Sequence, residues 1–182
     1  MRGKIPPLLE VLLMPDEYES VIEVGTNSYI DIDDADAYFA TRYGASAWAA
    51  LSDETKDQLL ITATQRIDTL RLKGRKYIYT QTLNFPRYIH VDRELQQSYI
   101  GSSGINDGTI PVQVEKATCE EALALLNTEA TKRRELQEQG VTSFTIGKLS
   151  ETFSGKVSSS SLLSSEAKNL LKSWVATKVR IR

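Results

Sequence analysis

The sequence of 182 residues predicts a mainly α-helical protein: a small helical bundle with a long central helix, a short β-hairpin and a tethered C-terminal helix. Three observations predict this class. Apolar residues recur at helical spacing in several segments, capping residues precede those segments, and after Gly140 the period falls from 3.6 to about 2. We predict an N-terminal arm over residues 1–24, a core over 25–157 with the hairpin at about 141–157, and a Ser-rich link with a docking helix over 158–182.

The first helices are predicted from their caps. Carboxylates crowd the start of a helix that begins near Asp33 and ends at Gly44, where they cap free N–H groups and face the positive end of the helix dipole. They are Asp31, Asp33, Asp34 and Asp36. A Ca²⁺ loop is the alternative, but the Gly and Glu that an EF-hand requires are missing. After a short helical piece at Trp48, Ser52 begins a helix that we expect to reach Gly74.

The strongest helical pattern begins at Pro111. Its apolar residues fall at i, i+3, i+4 and i+7: Cys119, Ala122, Leu123 and Leu126. We expect the helix to run to Gly140, with a polar second half that projects from the core or lies against a neighbouring subunit. Between the two long helices we predict a strand at residues 77–79 and a loop at 99–109.

The last third of the chain predicts a hairpin and a terminal helix. Residues 142–146 and 149–153 are β-prone and flank a two-residue turn, which predicts a β-hairpin. The candidate functional residues of this hairpin are Phe144, Ile146, Gly147, Lys148 and Leu149. Four serines at 158–161 predict a flexible link. Ser164 or Ser165 caps the final helix, whose apolar face includes an exposed-looking Trp174 and whose tail is basic.

Composition argues against catalysis and metal binding. The sole cysteine, Cys119, lies on an apolar helix stripe, where core packing is the better interpretation. The sole histidine, His90, lies in a predicted loop without a nucleophile motif, and no phosphate-binding or dinucleotide fingerprint appears. We therefore expect no enzyme activity, metal or cofactor. The apolar run at residues 5–14 is too short to span a bilayer, and we expect no membrane partner.

A nucleic-acid contact is the main alternative to a purely structural role. Residues 71–93 interleave cations with aromatic rings, the combination that single-strand binders use for phosphates and bases. The candidate DNA-contact residues are Arg71, Lys73, Arg75, Lys76, Tyr77 and Arg87, with Tyr79 and Tyr88 in the same segment. A net charge of -2 and a pI near 5.6 argue against a strong interaction.

Several short motifs, in order, resemble one family. They are NSYI at 27–30, DADAYF at 34–39, AWAALSD at 47–53, ATQRID at 63–68, KGRK at 73–76, QTLNFPR at 81–87, IP at 110–111 and ATCEEAL at 117–123. The chain resembles phage and prophage proteins catalogued as DnaT-like single-stranded-DNA-binding proteins, which are related by gene position and fold to head–tail adaptor, or connector, proteins. One departure is Phe85, where the family usually has Trp.

The resemblance implies a structural virion protein that forms a twelve-fold ring at the neck, after assembly in the host cytoplasm. Its partners would be itself, the portal protein, a stopper or tail-completion protein, and genomic double-stranded DNA sliding through the lumen. We expect portal docking by the C-terminal helix and its tail, through Leu170, Leu171, Trp174, Lys178, Arg180 and Arg182. The hairpin would line the channel or rim. Deleting residues 165–182 should then leave the core folded but prevent attachment to the portal protein. The alternative is a single-stranded-DNA-binding accessory protein of phage replication.

Overall fold

The computed structural model describes residues 18–90, 98–99, 108–146, 149–152 and 162–176. It confirms a mainly α-helical fold with a β-hairpin. The elements are α1 (Ile32–Ala40), α2 (Ser46–Ala49), α3 (Asp53–Asp68), β1 (Arg75–Lys76), β2 (Arg87–His90), β3 (Ser98–Tyr99), α4 (Val112–Leu125), α5 (Thr128–Glu138), β4 (Ser143–Ile146), β5 (Leu149–Thr152) and α6 (Ser165–Leu170). Within the described ranges, no helix has the length and apolar character needed to cross a bilayer.

Helix starts follow the caps that the sequence predicts. The Asp31 carboxylate accepts a hydrogen bond from the Asp34 N–H at 2.8 Å, and the Ser52 hydroxyl accepts one from the Thr55 N–H. Ser164 caps α6 in the same way, through the Ala167 N–H. Each cap satisfies an N–H group that the first helical turn leaves without a partner, and this local requirement makes the starts readable from sequence.

α4 lies at the centre of the fold and packs against α1, α3, α5 and α6. On one side, α1, α2 and α3 form a cluster with it in which the Phe39 and Trp48 rings lie 4.5 Å apart. On the other side, α4 packs against the C-terminal segment and the chain around Phe85. Both clusters take buried residues from α3 and α4, so α4 is buried over a wide arc of its surface.

The C-terminal segment is part of the core and corrects one expectation. Trp174 is 6% exposed, and its ring meets Phe85 edge to face with the centroids 5.2 Å apart. Leu162, Ala167 and Leu171 are buried in the same cluster. The expectation of an exposed Trp174 is therefore wrong. Removing this segment would uncover apolar core, so the expectation that the core folds without residues 165–182 loses its basis.

A buried carboxylate fixes the C-terminal segment on α4. Glu121 has no exposed surface, and its Oε1 atom lies 2.7 Å from Nε of Arg66 on α3. The two oxygens also accept hydrogen bonds from the Leu163 and Ser164 N–H groups, each at 2.9 Å. One side chain on α4 thus ties together α3 and the start of α6.

Both long helices end earlier than the sequence predicts. α3 ends at Asp68, because residues 71–73 leave the helix to pair with residues 174–176. Lys73 donates its N–H to the Trp174 carbonyl, and Ala176 donates its N–H to the Arg71 carbonyl, both at 2.8 Å.

The predicted helix from Pro111 to Gly140 is two helices. α4 ends near Leu126, and the Asn127 carbonyl accepts from the Thr131 N–H as α5 begins. Asn127 interrupts the helix because its polar side chain favours a helix boundary over a helix interior.

The strands partly match expectation. β4 and β5 pair antiparallel as predicted, with Ile146 opposite Leu149. The turn residues Gly147 and Lys148 and the serine link at 158–161 lie outside the described residues, as do the side chains of Phe144, Ile146 and Leu149. The strand expected at 77–79 is wrong: β1 is Arg75–Lys76, and the chain then turns.

Substituting Glu121→Gln should lower the free energy of unfolding by about 3 kcal/mol, because it removes one partner of a buried ion pair. The new amide also places an N–H donor among three existing donors. Urea denaturation followed by circular dichroism measures the change. The matched control is Glu129→Gln, which removes a carboxylate 3.7 Å from Arg133 at the surface of α5 and should cost about 0.5 kcal/mol or less. Equal losses in the two variants would contradict a central role for Glu121.

Candidate nucleic-acid interface

A stretch of chain without carboxylates supplies the candidate interface. Residues 69–91 contain five Arg or Lys and no Asp or Glu. β1 pairs antiparallel with β2, and β2 with β3, in a small sheet of order β1-β2-β3. Local positive charge is therefore concentrated in this stretch of chain, although the whole molecule has a net charge of -2.

Strand register brings a cation and two rings together. Arg75 is opposite Tyr88 in the β1–β2 pair, and its guanidinium carbon lies 5.3 Å from the centre of the Tyr88 ring. This is within the range of a cation–π contact. Tyr77 continues the pairing by donating its N–H to the Pro86 carbonyl, and its ring stacks on Tyr88 with the centroids 5.0 Å apart and the planes 25° apart. Partial burial and the neighbouring Tyr77 raise the pKa of Tyr88.

These side chains line an open groove of about 820 Å³, the β1–β2 groove, whose lining residues are Arg75, Lys76, Tyr77, Tyr79 and Tyr88. Its volume is within the usual range for small-molecule sites. Tyr79 is 97% exposed. The groove therefore combines positive charge with aromatic surface that solvent can reach.

Five of the six predicted DNA-contact residues fall into two groups. Arg75, Lys76 and Tyr77 line the groove, and Arg71 and Lys73 are exposed on the neighbouring segment that pairs with the C-terminal chain. Lys76 also has a structural task, because its ammonium donates to the Gln81 and Thr82 carbonyls, each at 3.0 Å. The Lys73 ammonium donates to the Ser173 carbonyl at 2.9 Å.

Arg87 has a structural position, and its predicted DNA contact is not available in this fold. Its side chain is buried and donates to the carbonyls of Lys73, Gly74 and Asn84 at 2.9 to 3.2 Å. Burial lowers the pKa of the guanidinium.

Tyr79 and Tyr88 are not among the DNA-contact residues predicted from the sequence. Tyr79 and Tyr88 line the groove, although the sequence places them only in the same segment as the predicted contacts. Strand pairing is the signal that identifies Tyr88, since its partner across the ladder is Arg75.

The other candidate residues do not converge on this groove. Leu171 and Trp174 are buried in the core and Leu170 is half-buried, so this face is not free to dock on another protein. Lys178, Arg180 and Arg182 lie outside the described residues. Cys119 is fully buried on α4, as predicted, and burial raises the pKa of its thiol to about 12. In the part of the chain that the structure describes, no group of three or more His, Cys, Asp or Glu side chains could hold a metal ion.

One protein family matches residues 19–182, and its description is Putative DnaT-like ssDNA binding protein. The chain belongs to this family. No curated protein and no solved structure matches it.

Membership of the DnaT-like family corrects the head–tail connector interpretation. The family description names binding to single-stranded DNA and does not match a virion connector or a ring. The expected portal and tail partners and the virion-neck location followed only from that interpretation. The matched description favours the alternative, in which the basic and aromatic residues of the DnaT-like chain contact DNA.

Arg87→Gln should lower the free energy of unfolding by about 2–4 kcal/mol, because a buried guanidinium is lost and three backbone carbonyls lose their donor. Arg75→Gln removes the same charge from an exposed position and should cost about 1 kcal/mol or less, the size of an exposed cation–π contact. Chemical denaturation of both variants gives the comparison. If Arg87→Gln lowered the free energy of unfolding by less than Arg75→Gln, the buried position of Arg87 and the exposed position of Arg75 would be contradicted.

Cys119 should react with a thiol reagent such as Ellman's reagent about a hundredfold or more slowly in the folded protein at pH 8 than in guanidinium chloride, because the thiolate is the reactive form and burial suppresses it. The absorbance of the released thiol measures both rates. Rapid stoichiometric labelling of the folded chain would contradict the position of Cys119 in the core.

Proposed function

We propose that this DnaT-like protein binds single-stranded DNA through the β1–β2 groove and the exposed cations beside it. The observation that carries the proposal is the convergence of Arg75, the Tyr77–Tyr88 stack and the exposed Tyr79 on one open groove. Single-strand binders without sequence preference combine a positive groove for the backbone with aromatic rings for the bases. The family description supports the same chemistry.

The charges set an upper limit on the electrostatic part of binding. Four cations lie in or beside the groove: Arg71, Lys73, Arg75 and Lys76. If each neutralises one phosphate, counterion release gives a slope of about -3 for log K against log salt on a single strand. Two of the four, the lysine ammonium groups, also hold backbone carbonyls, so the slope should be smaller in magnitude. We therefore expect the affinity to fall with increasing salt, with a slope no steeper than about -3.

The proposed role involves no bond-making step. Binding of this kind suits an accessory protein of phage replication, which the family resemblance implies. The groove presents rings and cations and does not require recognition of base edges, so we expect tolerance of sequence.

The test is fluorescence anisotropy of a labelled oligo(dT) titrated with the full chain between about 50 and 300 mM salt. The double substitution Arg71→Gln/Arg75→Gln should weaken binding at low salt and reduce the magnitude of the salt slope by about 1.4, since each lost phosphate contact removes about 0.7. Within the described residues, Arg87 donates hydrogen bonds that hold the fold, whereas the guanidinium groups of Arg71 and Arg75 do not. The double substitution should therefore leave the fold intact.

The control for this titration is Lys116→Gln/Lys132→Gln, which makes the same change in net charge at two exposed lysines of α4 and α5 that do not line the groove. It should leave the slope close to that of the unchanged protein. Absence of binding by the unchanged protein at the lowest salt would refute the proposed function. An equal effect of both double substitutions would show that total charge, and not this surface, determines binding.

A further inference from the structure

The three tyrosines of the β1–β2 groove are not equivalent. The Tyr77 ring is enclosed, because Tyr88 stacks on it and Gly108 lies so close that a Cβ atom there would be 2.7 Å from Cε1 of Tyr77. Tyr88 contacts both Tyr77 and the Arg75 guanidinium. These two rings therefore form an ordered wall whose stacking capacity is largely used within the protein.

Tyr79 differs because its backbone is held while its ring is free to solvent. Gln81 fixes the turn: its side-chain oxygen accepts from the Ile78 N–H at 2.8 Å, and its backbone N–H donates to the Ile78 carbonyl. Lys76 reinforces the turn from the other side by donating to the Gln81 carbonyl. The Tyr79 ring, 97% exposed, stands at the edge of the groove.

We propose that Tyr79 stacks on one unpaired base that enters the groove, while Arg75 contacts the adjoining phosphate and the Tyr77–Tyr88 stack forms the opposite wall. This inference rests on the proposed single-strand binding and assigns its base-stacking residue. An ordered wall and a fixed turn reduce the conformational entropy lost on binding, since only one side chain must be immobilised.

A stacking contact of this kind determines what the site accepts. A ring recognises the face of a base, and every base has such a face, so the contact tolerates any sequence. In a duplex those faces are covered by the neighbouring base pairs, so the base must be unpaired. The four cations in or beside the groove and the absence of carboxylates in residues 69–91 favour a polyanion over a neutral peptide as the occupant.

The experiment compares three single substitutions in the full chain by anisotropy with oligo(dT) at low salt. Tyr79→Leu should weaken binding about 5- to 150-fold, the range for loss of one base–aromatic stack. Tyr79→Phe retains the ring and should bind within about twofold of the unchanged protein. Tyr43→Leu is the matched control, because Tyr43 is 95% exposed and is not among the groove-lining residues, and it should have no effect.

Three further measurements separate base stacking from a contact with the DNA backbone and from a loss of stability. The salt slope of Tyr79→Leu should equal that of the unchanged protein, because no phosphate contact is lost. An oligonucleotide of abasic sugar phosphates should bind Tyr79→Leu and the unchanged protein equally. The exposed position of Tyr79 means that its substitution should leave the unfolding midpoint unchanged, which circular dichroism checks.

The outcomes distinguish this inference from the proposed function. If the unchanged protein binds oligo(dT) and Arg71→Gln/Arg75→Gln weakens it, but Tyr79→Leu binds normally, the stacking inference is wrong and the proposed function stands. A loss by Tyr79→Leu that is equally large on the abasic strand also overturns the inference, because the ring would then act on the backbone. Absence of oligo(dT) binding by the unchanged protein refutes both.

Discussion

The buried Glu121 carboxylate is the interaction on which the arrangement of the chain depends. A charge without solvent contact is tolerated only when it is paired and hydrogen-bonded, and Glu121 has Arg66 and two backbone N–H groups as partners. These partners come from α3 and from the segment that leads into α6. Satisfying one carboxylate therefore requires that distant parts of the sequence meet on α4.

That requirement extends to the candidate interface. Once Glu121 anchors the start of α6, Leu171 and Trp174 fill the core and residues 174–176 pair with residues 71–73. The chain at residues 71–73 is thereby held in place, and it bends at Lys73 and Gly74 before it enters β1. Register then places Arg75 opposite Tyr88. The groove is thus the end of a series of contacts that begins in the core, and its geometry depends on the C-terminal segment being in place.

The cations of residues 69–91 have different roles in the folded protein, and the sequence alone could not tell a structural cation from one that is available to a ligand. Arg87 and Arg75 are both arginines beside aromatic residues, yet Arg87 is buried and donates to backbone carbonyls, whereas Arg75 lies over a ring at the surface. The difference depends on which backbone carbonyls lack partners after folding. Composition identified the basic and aromatic segment that lines the groove, but it could not show which of its members remain available for a ligand.

Features that follow local rules can be read from the sequence alone. The caps at Asp31, Ser52 and Ser164, the apolar position of Cys119 and the antiparallel hairpin all follow from residues within a few positions of one another. The burial of Trp174 and the end of α3 at Asp68, in contrast, are set by long-range contacts in the folded chain. Both depend on contacts between residues about a hundred positions apart, because an apolar side chain and an unpaired backbone group are satisfied by whichever segment the fold brings to them.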